Sequence, residues 1–140
     1  MAESLVYSFD LPVYPERVYR AWLNASELCK ITGAPAQVAG RVGGAFSLLA
    51  GGVTGSFEVL TPTNRIVMAW NMADFPGPGG QVELLFEPTC TGTEVKLYQR
   101  GIPSGKTPAL LQWWEQNLSR PLHAYFNAIV GEYIADMGDG

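Results

Sequence analysis

A long apolar stripe near the C-terminus constrains the fold of this sequence more than any other feature. Large apolar residues recur there at steps of three and four positions, which is the spacing of one face of an α-helix. They are Leu110, Leu111, Trp114, Leu118, Leu122, Tyr125, Phe126, Ile129 and Tyr133. A stripe of about seven helical turns needs a broad apolar surface to lie against. The sequence therefore predicts a long C-terminal helix that covers much of the core.

Two prolines refine this prediction. Thr107 followed by Pro108 matches the N-cap and the first position of a helix. Pro121 lies inside the stripe, where it has no N–H to donate and its ring clashes with the carbonyl four residues earlier. We therefore expect a bend in the helix between Asn117 and Pro121.

The N-terminal part predicts one strand followed by two short helices. From Leu5 to Leu11, large apolar residues occupy every second position, which is typical of a half-buried strand. Pro15 suits the first turn of a short helix that we expect to end near Leu23. Ser26 is the expected cap of a second short helix, and Gly33 its expected end.

The middle of the chain is typical of β-hairpins. Four strands are expected with centres near Val38, Leu48, Phe57 and Val67, and two more alternate along residues 82–86 and 95–98. The segments AGGVTGS and MADFPGPGG are expected to be turns. Neither opens a helix after a strand, so neither is expected to bind phosphate.

This order of elements predicts an α+β helix-grip fold. An antiparallel sheet of about six to seven strands would curve around the long C-terminal helix, with the two short helices beside it. We expect a single domain over residues 1–140, with flexible ends at 1–4 and 137–140. Any gap between a curved sheet and a helix would be the default binding cavity.

Composition narrows the function. The chain has 140 residues, 47% of them apolar, and a net charge of −4, which disfavours nucleic acids and anionic membranes as partners. The N-terminus has no basic segment followed by an apolar block, and no window reaches about 18 uninterrupted apolar residues. We expect a cytoplasmic protein, either a monomer or a homodimer.

Five segments in a characteristic order carry a resemblance to a known family. LPVYPERVYRAWLNASELCKITGAPA is followed by GRVGGAFSL, GSFEVLTPTNRIVMAW, FEPTCTGTEVKLYQRGIP and WWEQNLSRPLHAYF. In this order they resemble the heat shock protein 90 ATPase activator homologue family, a branch of the START-like, birch-pollen-allergen-like helix-grip superfamily. The resemblance runs from Val6 to Tyr133.

The resemblance also assigns positions. The family's Gly-Gly turn corresponds to Gly43-Gly44, its strand Trp to Trp70, its Gly-Thr turn to Gly92-Thr93, and its helix Trp to Trp114. Many relatives have an aromatic residue where this chain has Ile31, and often a histidine where it has Gln99. The lost imidazole weakens any acid–base role that the resemblance would imply.

Reactive side chains are too sparse to define a catalytic or metal site. His123 is the only imidazole, and we expect it at the edge of the stripe, partly exposed. Cys29 and Cys90 lack metal-type spacing and are expected to be buried free thiols, with a disulfide or a reactive thiol as alternatives. No catalytic residue, metal or cofactor is predicted.

Most carboxylates are expected to lie in water. Those that avoid the apolar faces are Glu83, Glu87, Glu115, Glu132 and Asp136. Glu58 and Arg41 lie on strands whose inner face the pattern leaves open, so a buried ion pair between them is an alternative to solvation.

The residues expected to point inward outline a candidate ligand-binding site. They are Trp22, Phe46, Leu48, Met68, Trp70, Leu97, Gln99, Trp114, Leu118 and Tyr125. Both a fully packed core and an apolar cavity are compatible with this set. Gln99 is the best candidate polar contact, because an inward amide needs a partner, a water or a ligand. Met68 and Met72 would let a pocket adapt its shape.

Three functions are compatible with the sequence. The first is a non-enzymatic carrier or sensor of a small hydrophobic or aromatic ligand. The second, implied by the resemblance, is stimulation of a heat shock protein 90-type chaperone ATPase through protein contact. The third is an enzyme similar to polyketide cyclases and aromatases, with Gln99, Tyr98, Arg100 and Tyr125 as its polar groups. We favour the first, because inward aromatic residues are plentiful and no catalytic set is evident.

Overall fold

The computed structural model describes residues 3–75 and 80–138, with side chains as far as Gly131. The strands are β1 (Glu3–Leu11), β2 (Gln37–Val38), β3 (Ala45–Leu48), β4 (Val53–Thr61), β5 (Arg65–Met72), β6 (Gly80–Pro88) and β7 (Thr93–Ile102). The helices are α1 (Pro15–Trp22), α2 (Ala25–Thr32), α3 (Thr107–Trp114) and α4 (Arg120–Gly138). A π-helical turn (Glu115–Ser119) joins α3 to α4, so the two form one long helix.

The strands form one antiparallel sheet in the order β1-β7-β6-β5-β4-β3-β2. In the sheet, β1 pairs with β7 and not with β2, the next strand in the chain. The helices α1 and α2 separate β1 from β2 in the sequence. Buried and partly exposed side chains alternate along the central strands, and the buried ones form the inner face of the sheet. Leu84 of β6 and Leu97 of β7, for example, are paired across the two strands and both buried. The helix-grip fold predicted from the sequence is confirmed.

The C-terminal helix lies on the inner face of this sheet. Trp114, Leu118, Leu122 and Phe126 recur every four residues, and each is at most 1% exposed. Leu111 is an exception to the predicted stripe, because it is 39% exposed. The side chain of Tyr133 lies outside the described residues. The stripe is therefore narrower than predicted and follows every fourth position.

A π-helical turn in the C-terminal helix precedes Pro121. The N–H of Arg120, the residue before it, donates to the carbonyl of Glu115, five residues earlier, which widens the turn to a π-helical one. Pro121 has no N–H and its ring cannot sit against the carbonyl of Asn117 in a regular α-turn. Where a bend was predicted, at Asn117–Pro121, the helix has this π-helical turn at Glu115–Ser119, and the bend itself stays a prediction. Tyr7 of β1 donates to Ser119 in this turn at 3.1 Å.

Two predicted helix caps are wrong. Asn24 rather than Ser26 caps α2, since its side-chain oxygen accepts from the N–H of Glu27 at 3.0 Å. Gly33 ends α2 in the left-handed conformation, as predicted, with φ of 74°. Thr107 is not the N-cap of α3 but its first residue, and Lys106 holds the N-cap position. The Thr107 hydroxyl donates to Glu3 at 2.8 Å.

Several predictions of burial are also wrong. Cys29 and Cys90 are exposed free thiols, because Cys29 lies on the outer side of α2 and Cys90 in the turn between β6 and β7. For Arg41 and Glu58 the solvated alternative is found rather than the buried ion pair, because both are exposed, and Glu58 accepts from Gln81 at 3.2 Å. Glu83 is less solvated than expected, because its carboxylate pairs with Arg65 across the outer face of the sheet.

The turn prediction for AGGVTGS is only partly right, because its residues from Val53 onward belong to β4. A short 3-10 turn (Leu49–Gly51) connects β3 to β4. MADFPGPGG connects β5 to β6, and its residues 76–79 lie outside the described residues. No helix in the described part of the chain is both long and apolar enough to span a membrane.

Candidate ligand-binding site

A group of aromatic rings fills the middle of the space between sheet and helix. Trp70 of β5 stacks on Trp114 of α3, with ring centroids 5.0 Å apart and an interplanar angle of 22°. Phe46 lies 5.7 Å from Trp70 and 5.3 Å from Phe57, measured between centroids. Most of the helix–sheet interface is thus a packed core.

Nine of the ten residues predicted to point inward are buried. They are Trp22, Phe46, Leu48, Met68, Trp70, Leu97, Gln99, Trp114 and Leu118. Tyr125 is only partly buried, and its hydroxyl donates to Glu27 at 2.9 Å. Tyr125 therefore belongs to a polar contact between helices, while the other nine lie in the interior.

A cavity of about 240 Å³ remains at one end of the fold, and we call it the end cavity. It lies where β5 and β7 end and where β6 and α3 begin. Its lining residues are Trp70, Asn71, Met72, Phe75, Gly80, Gln99, Gly101, Ile102, Pro103 and Leu110. Only Trp70 and Gln99 were among the ten candidate residues from the sequence. The other eight lie near the β5–β6 loop or the β7–α3 connection. Both connections are rich in Gly and Pro, and this composition is the sequence signal that could have indicated them.

A second cavity of about 190 Å³ lies next to the end cavity. Leu49, Gly52, Met72, Asp74, Trp113 and Asn117 line it. Met72 borders both cavities, and its unbranched thioether side chain adapts easily to the shape of a neighbour. Of the two methionines predicted to adapt the shape of a pocket, Met72 borders the cavities. Met68 is fully buried, and its sulfur accepts from the indole N–H of Trp22 at 3.4 Å.

The polar groups at the end cavity are oriented by one strong contact. The Trp114 indole Nε1–H donates to Gln99 Oε1 at 2.7 Å. This bond places the oxygen of the Gln99 amide toward Trp114 and leaves Nε2 toward Met72, whose sulfur is 3.9 Å away. The Nε1–H of Trp70 is buried and has no acceptor among residues 3–75 and 80–138.

His123 lies away from the end cavity. It is exposed on α4, in an open groove between α4 and β1, and its Nδ1 is 2.9 Å from the Asn127 amide nitrogen. Asp10 and Glu115 border the same groove. Within the described part of the chain, no group of three or more His, Cys, Asp or Glu side chains is arranged to hold a metal ion.

A polar cluster ties the two short helices to the C-terminal helix. The Arg17 guanidinium contacts both carboxylate oxygens of Glu27, one of them at 3.0 Å, and lies 5.3 Å from the centroid of the Phe126 ring. Burial raises the pKa of Glu27, but the hydrogen bonds from Arg17 and Tyr125 outweigh it and hold the pKa below its ordinary value of 4.5. The ionised carboxylate thus stabilises the junction of α1, α2 and α4.

This cluster predicts a pH-dependent contribution to stability. Because the pKa of Glu27 is lower in the folded state, the contribution is complete above the ordinary pKa of 4.5 and is lost as pH falls through the folded-state value. Glu27→Gln should lower the free energy of unfolding at pH 7 by about 1–2 kcal/mol. The difference from wild type should shrink between pH 4.5 and pH 3.

Urea unfolding of both proteins across this pH range measures the difference. Glu16→Gln is the matched control, because Glu16 is exposed and its only ion pair, with Arg20, is 3.9 Å long. That control should stay within about 0.5 kcal/mol of wild type. A Glu27→Gln effect that remains constant down to pH 3 would contradict the assignment.

An open antiparallel sheet that grips a long C-terminal helix, with a cavity at one end, defines the helix-grip class of proteins. Within that class, the family model described as "Activator of Hsp90 ATPase homolog 1-like protein" matches residues 12–127. The chain belongs to this family.

The relatives agree with this assignment. The human "Activator of 90 kDa heat shock protein ATPase homolog 1" is 32% identical over 103 residues, which cover 73% of this chain and 30% of that protein. An uncharacterised protein of Schizosaccharomyces pombe is 28% identical over 121 residues, 86% of this chain and 35% of that protein. The chain spans about a third of the length of these curated relatives.

Solved structures share the fold. The crystal structure of an HSP90 activator from Plasmodium falciparum superposes with a TM-score of 0.75 at 25% identity, covering 91% of this chain and 96% of that one. CalU16 from Micromonospora echinospora gives a TM-score of 0.75 at 20% identity, covering 89% of this chain and 74% of that one. This second likeness bears on the fold alone.

Proposed function

We propose that this protein is a non-enzymatic binder of a small, largely apolar molecule, which occupies the end cavity. The observation that carries the proposal is the end cavity itself. It has about 240 Å³ of space bordered by the rings of Trp70 and Phe75 and by the aliphatic side chains of Ile102 and Leu110. Beside it, the stacked rings of Trp70 and Trp114 are packed against each other and buried.

The size of the end cavity limits the ligand. An apolar cavity of about 150 Å³ in a protein core takes up benzene. By that comparison, 240 Å³ suits a molecule of two fused rings. Larger ligands would need the neighbouring space behind Met72, which a change of the methionine rotamer could open.

The arrangement of polar groups favours binding over catalysis. Tyr98 and Arg100 alternate with the inward residues Leu97 and Gln99, so they lie on the outer face of β7. Tyr125 is engaged with Glu27. Of the four groups considered for a cyclase-like reaction, Gln99 alone borders the end cavity, and an amide is neither an acid nor a base at neutral pH.

Thermal unfolding with indane, a two-ring hydrocarbon, tests the proposal. At a free concentration of ten times its Kd, indane should raise Tm by about 3–5 °C. Leu110→Phe should abolish this shift, because the added ring atoms extend into the end cavity. Leu111→Phe is the matched control, because Leu111 is exposed on the same helix, and it should respond like wild type. No shift in wild type, or an unaltered shift in Leu110→Phe, would refute the proposal.

A second candidate function is stimulation of a heat shock protein 90-type chaperone ATPase. The specific observation in its favour is the Plasmodium falciparum HSP90 activator, since the superposition covers 96% of that chain, which is therefore similar in extent to this one. The ATPase turnover of a purified chaperone of this type should then rise with added protein until it saturates. Unchanged turnover at saturating protein would exclude this candidate. An equal response to wild type and Leu110→Phe would separate it from ligand binding.

A further inference from the structure

We infer that the ligand of the end cavity is an uncharged molecule that presents a hydrogen-bond acceptor to Gln99 Nε2. This inference rests on the proposed function and names the ligand class for the same site. Its basis is the buried Gln99 Nε2 donor, whose acceptor is the Met72 sulfur, in a lining that has no ionisable side chain among the described residues.

The Gln99 amide is oriented so that its Nε2 donor has only a weak acceptor. Gln99 is 4% exposed, and its Oε1 accepts the short bond from Trp114. A flipped amide would bring two sets of N–H donors face to face, so this contact determines which amide atom faces Met72. The contact recorded for Nε2 is the Met72 sulfur at 3.9 Å, and a thioether is a weak acceptor. A ligand oxygen or ring nitrogen that displaces Met72 from this contact would satisfy Nε2 better.

Trp70, whose ring borders the end cavity, carries a second buried donor. The residue is 2% exposed, and its Nε1–H has no acceptor in the described part of the chain. Buried donors without partners are rare in proteins because each costs the free energy of its lost hydration. The Trp70 Nε1–H is sealed from water-sized space, so the preference for a ligand with an acceptor rests on Gln99 Nε2.

The lining of the end cavity disfavours ionic ligands. Among the described residues that line it, none is ionisable. Asp74 borders the neighbouring cavity instead. A carboxylate ligand would lose its hydration without gaining a counter-charge, and a cationic ligand would face donors. Ketones, lactones and neutral nitrogen heterocycles remain as the fitting class.

Three probes with the same two-ring skeleton test this class: 1-indanone, indane and indane-1-carboxylate. We expect 1-indanone to bind about three- to tenfold more tightly than indane, since one neutral hydrogen bond has a net effect of this size. Indane-1-carboxylate should bind more weakly than indane. In nuclear magnetic resonance spectra, the Gln99 side-chain amide signals should move further with 1-indanone than with indane.

Gln99→Met removes the amide while keeping the length of the side chain. In this variant the preference for 1-indanone over indane should fall by about threefold or more. Because the preference is a ratio measured in one protein, a general loss of stability does not imitate this result. Gln112→Met is the matched control, because Gln112 is exposed on α3 and lies outside the end cavity, so it should keep the wild-type preference.

The outcomes separate the inference from the proposed function. If none of the three probes binds, both are overturned. If indane and 1-indanone bind equally well, the inference is overturned while the proposed function stands. Tighter binding of the carboxylate, or an unchanged preference in Gln99→Met, would likewise overturn the inference alone.

Discussion

Trp114→Ala is expected to lower the free energy of unfolding by about 4 kcal/mol, which is among the largest effects a single substitution produces. The Trp114 ring is 1% exposed and stacks on Trp70. Its removal would leave a void under the C-terminal helix and would deprive Gln99 Oε1 of its donor. Since small domains are stable by about 5–15 kcal/mol, the variant should keep only about 1–11 kcal/mol and unfold at a clearly lower urea concentration.

Urea unfolding followed by far-ultraviolet circular dichroism measures this loss. Trp113→Ala is the matched control, because Trp113 is the adjacent indole on the same helix and is only partly buried. Trp113 makes edge contacts with Trp70 and Trp114, so its removal should cost about 1–2 kcal/mol. Equal losses in the two variants would contradict the assignment of Trp114 as the inward residue.

Gly55→Ala should destabilise the protein by about 3 kcal/mol, because the site has no room for a methyl group. A Cβ atom at Gly55 would lie 1.9 Å from the carbonyl oxygen of Ala69 and 2.7 Å from the Phe46 ring. The first of these neighbours is backbone of β5, the strand paired with β4, so relief requires the two strands to separate. The expected result is a lower urea midpoint with weakened pairing between β4 and β5.

Gly131→Ala makes the same chemical change but is expected to raise the free energy of unfolding. Gly131 lies in α4, and a Cβ there would meet nothing within 4 Å. Alanine favours a helix interior over glycine by about 0.5–1 kcal/mol, so this variant should be slightly more stable than wild type. A Gly55→Ala variant as stable as wild type would contradict the strand pairing and the position of Phe46.

The sequence was sufficient to predict the fold because two strong periodicities agree. The mixed four- and three-residue steps at Leu118, Leu122 and Tyr125 would put apolar residues on both faces of a strand, so they favour a helix, and the alternation in β6 and β7 is incompatible with a helix. A single long amphipathic helix then needs the sheet as its partner. Pro121 indicated the correct position for the helix irregularity, because its missing N–H acts locally whatever the tertiary contacts are.

The helix caps and the burial of the cysteines could not be predicted, because each depends on how the neighbouring elements are placed. Asn24 and Ser26 are both good helix caps, and the choice between them depends on where α1 ends. Cys29 and Cys90 were predicted to be buried from the average behaviour of cysteine, whereas burial is decided by which side of α2 or of a turn faces the core.

The candidate site was predicted only in part, for a geometric reason. Alternation indicates that Trp70 and Gln99 point inward, but it does not show which inward residues touch one another and which border space. That difference depends on the separation of sheet and helix at each position. At Trp70 and Trp114 the two layers meet ring against ring, whereas beyond Leu110 they separate around the end cavity. The orientation of the Gln99 amide likewise required the position of Trp114.

The most direct test of ligand binding at the end cavity is a titration of the isotopically labelled protein with indane, followed through its backbone amide signals. The account predicts the largest shifts at Gln99, Gly101, Ile102 and Leu110, which line the end cavity on two elements of the fold, β7 and α3. It predicts small shifts at Tyr7, His123 and Asn127 in the open groove between β1 and α4. Shifts centred on that groove, or no shifts at saturating indane, would contradict it.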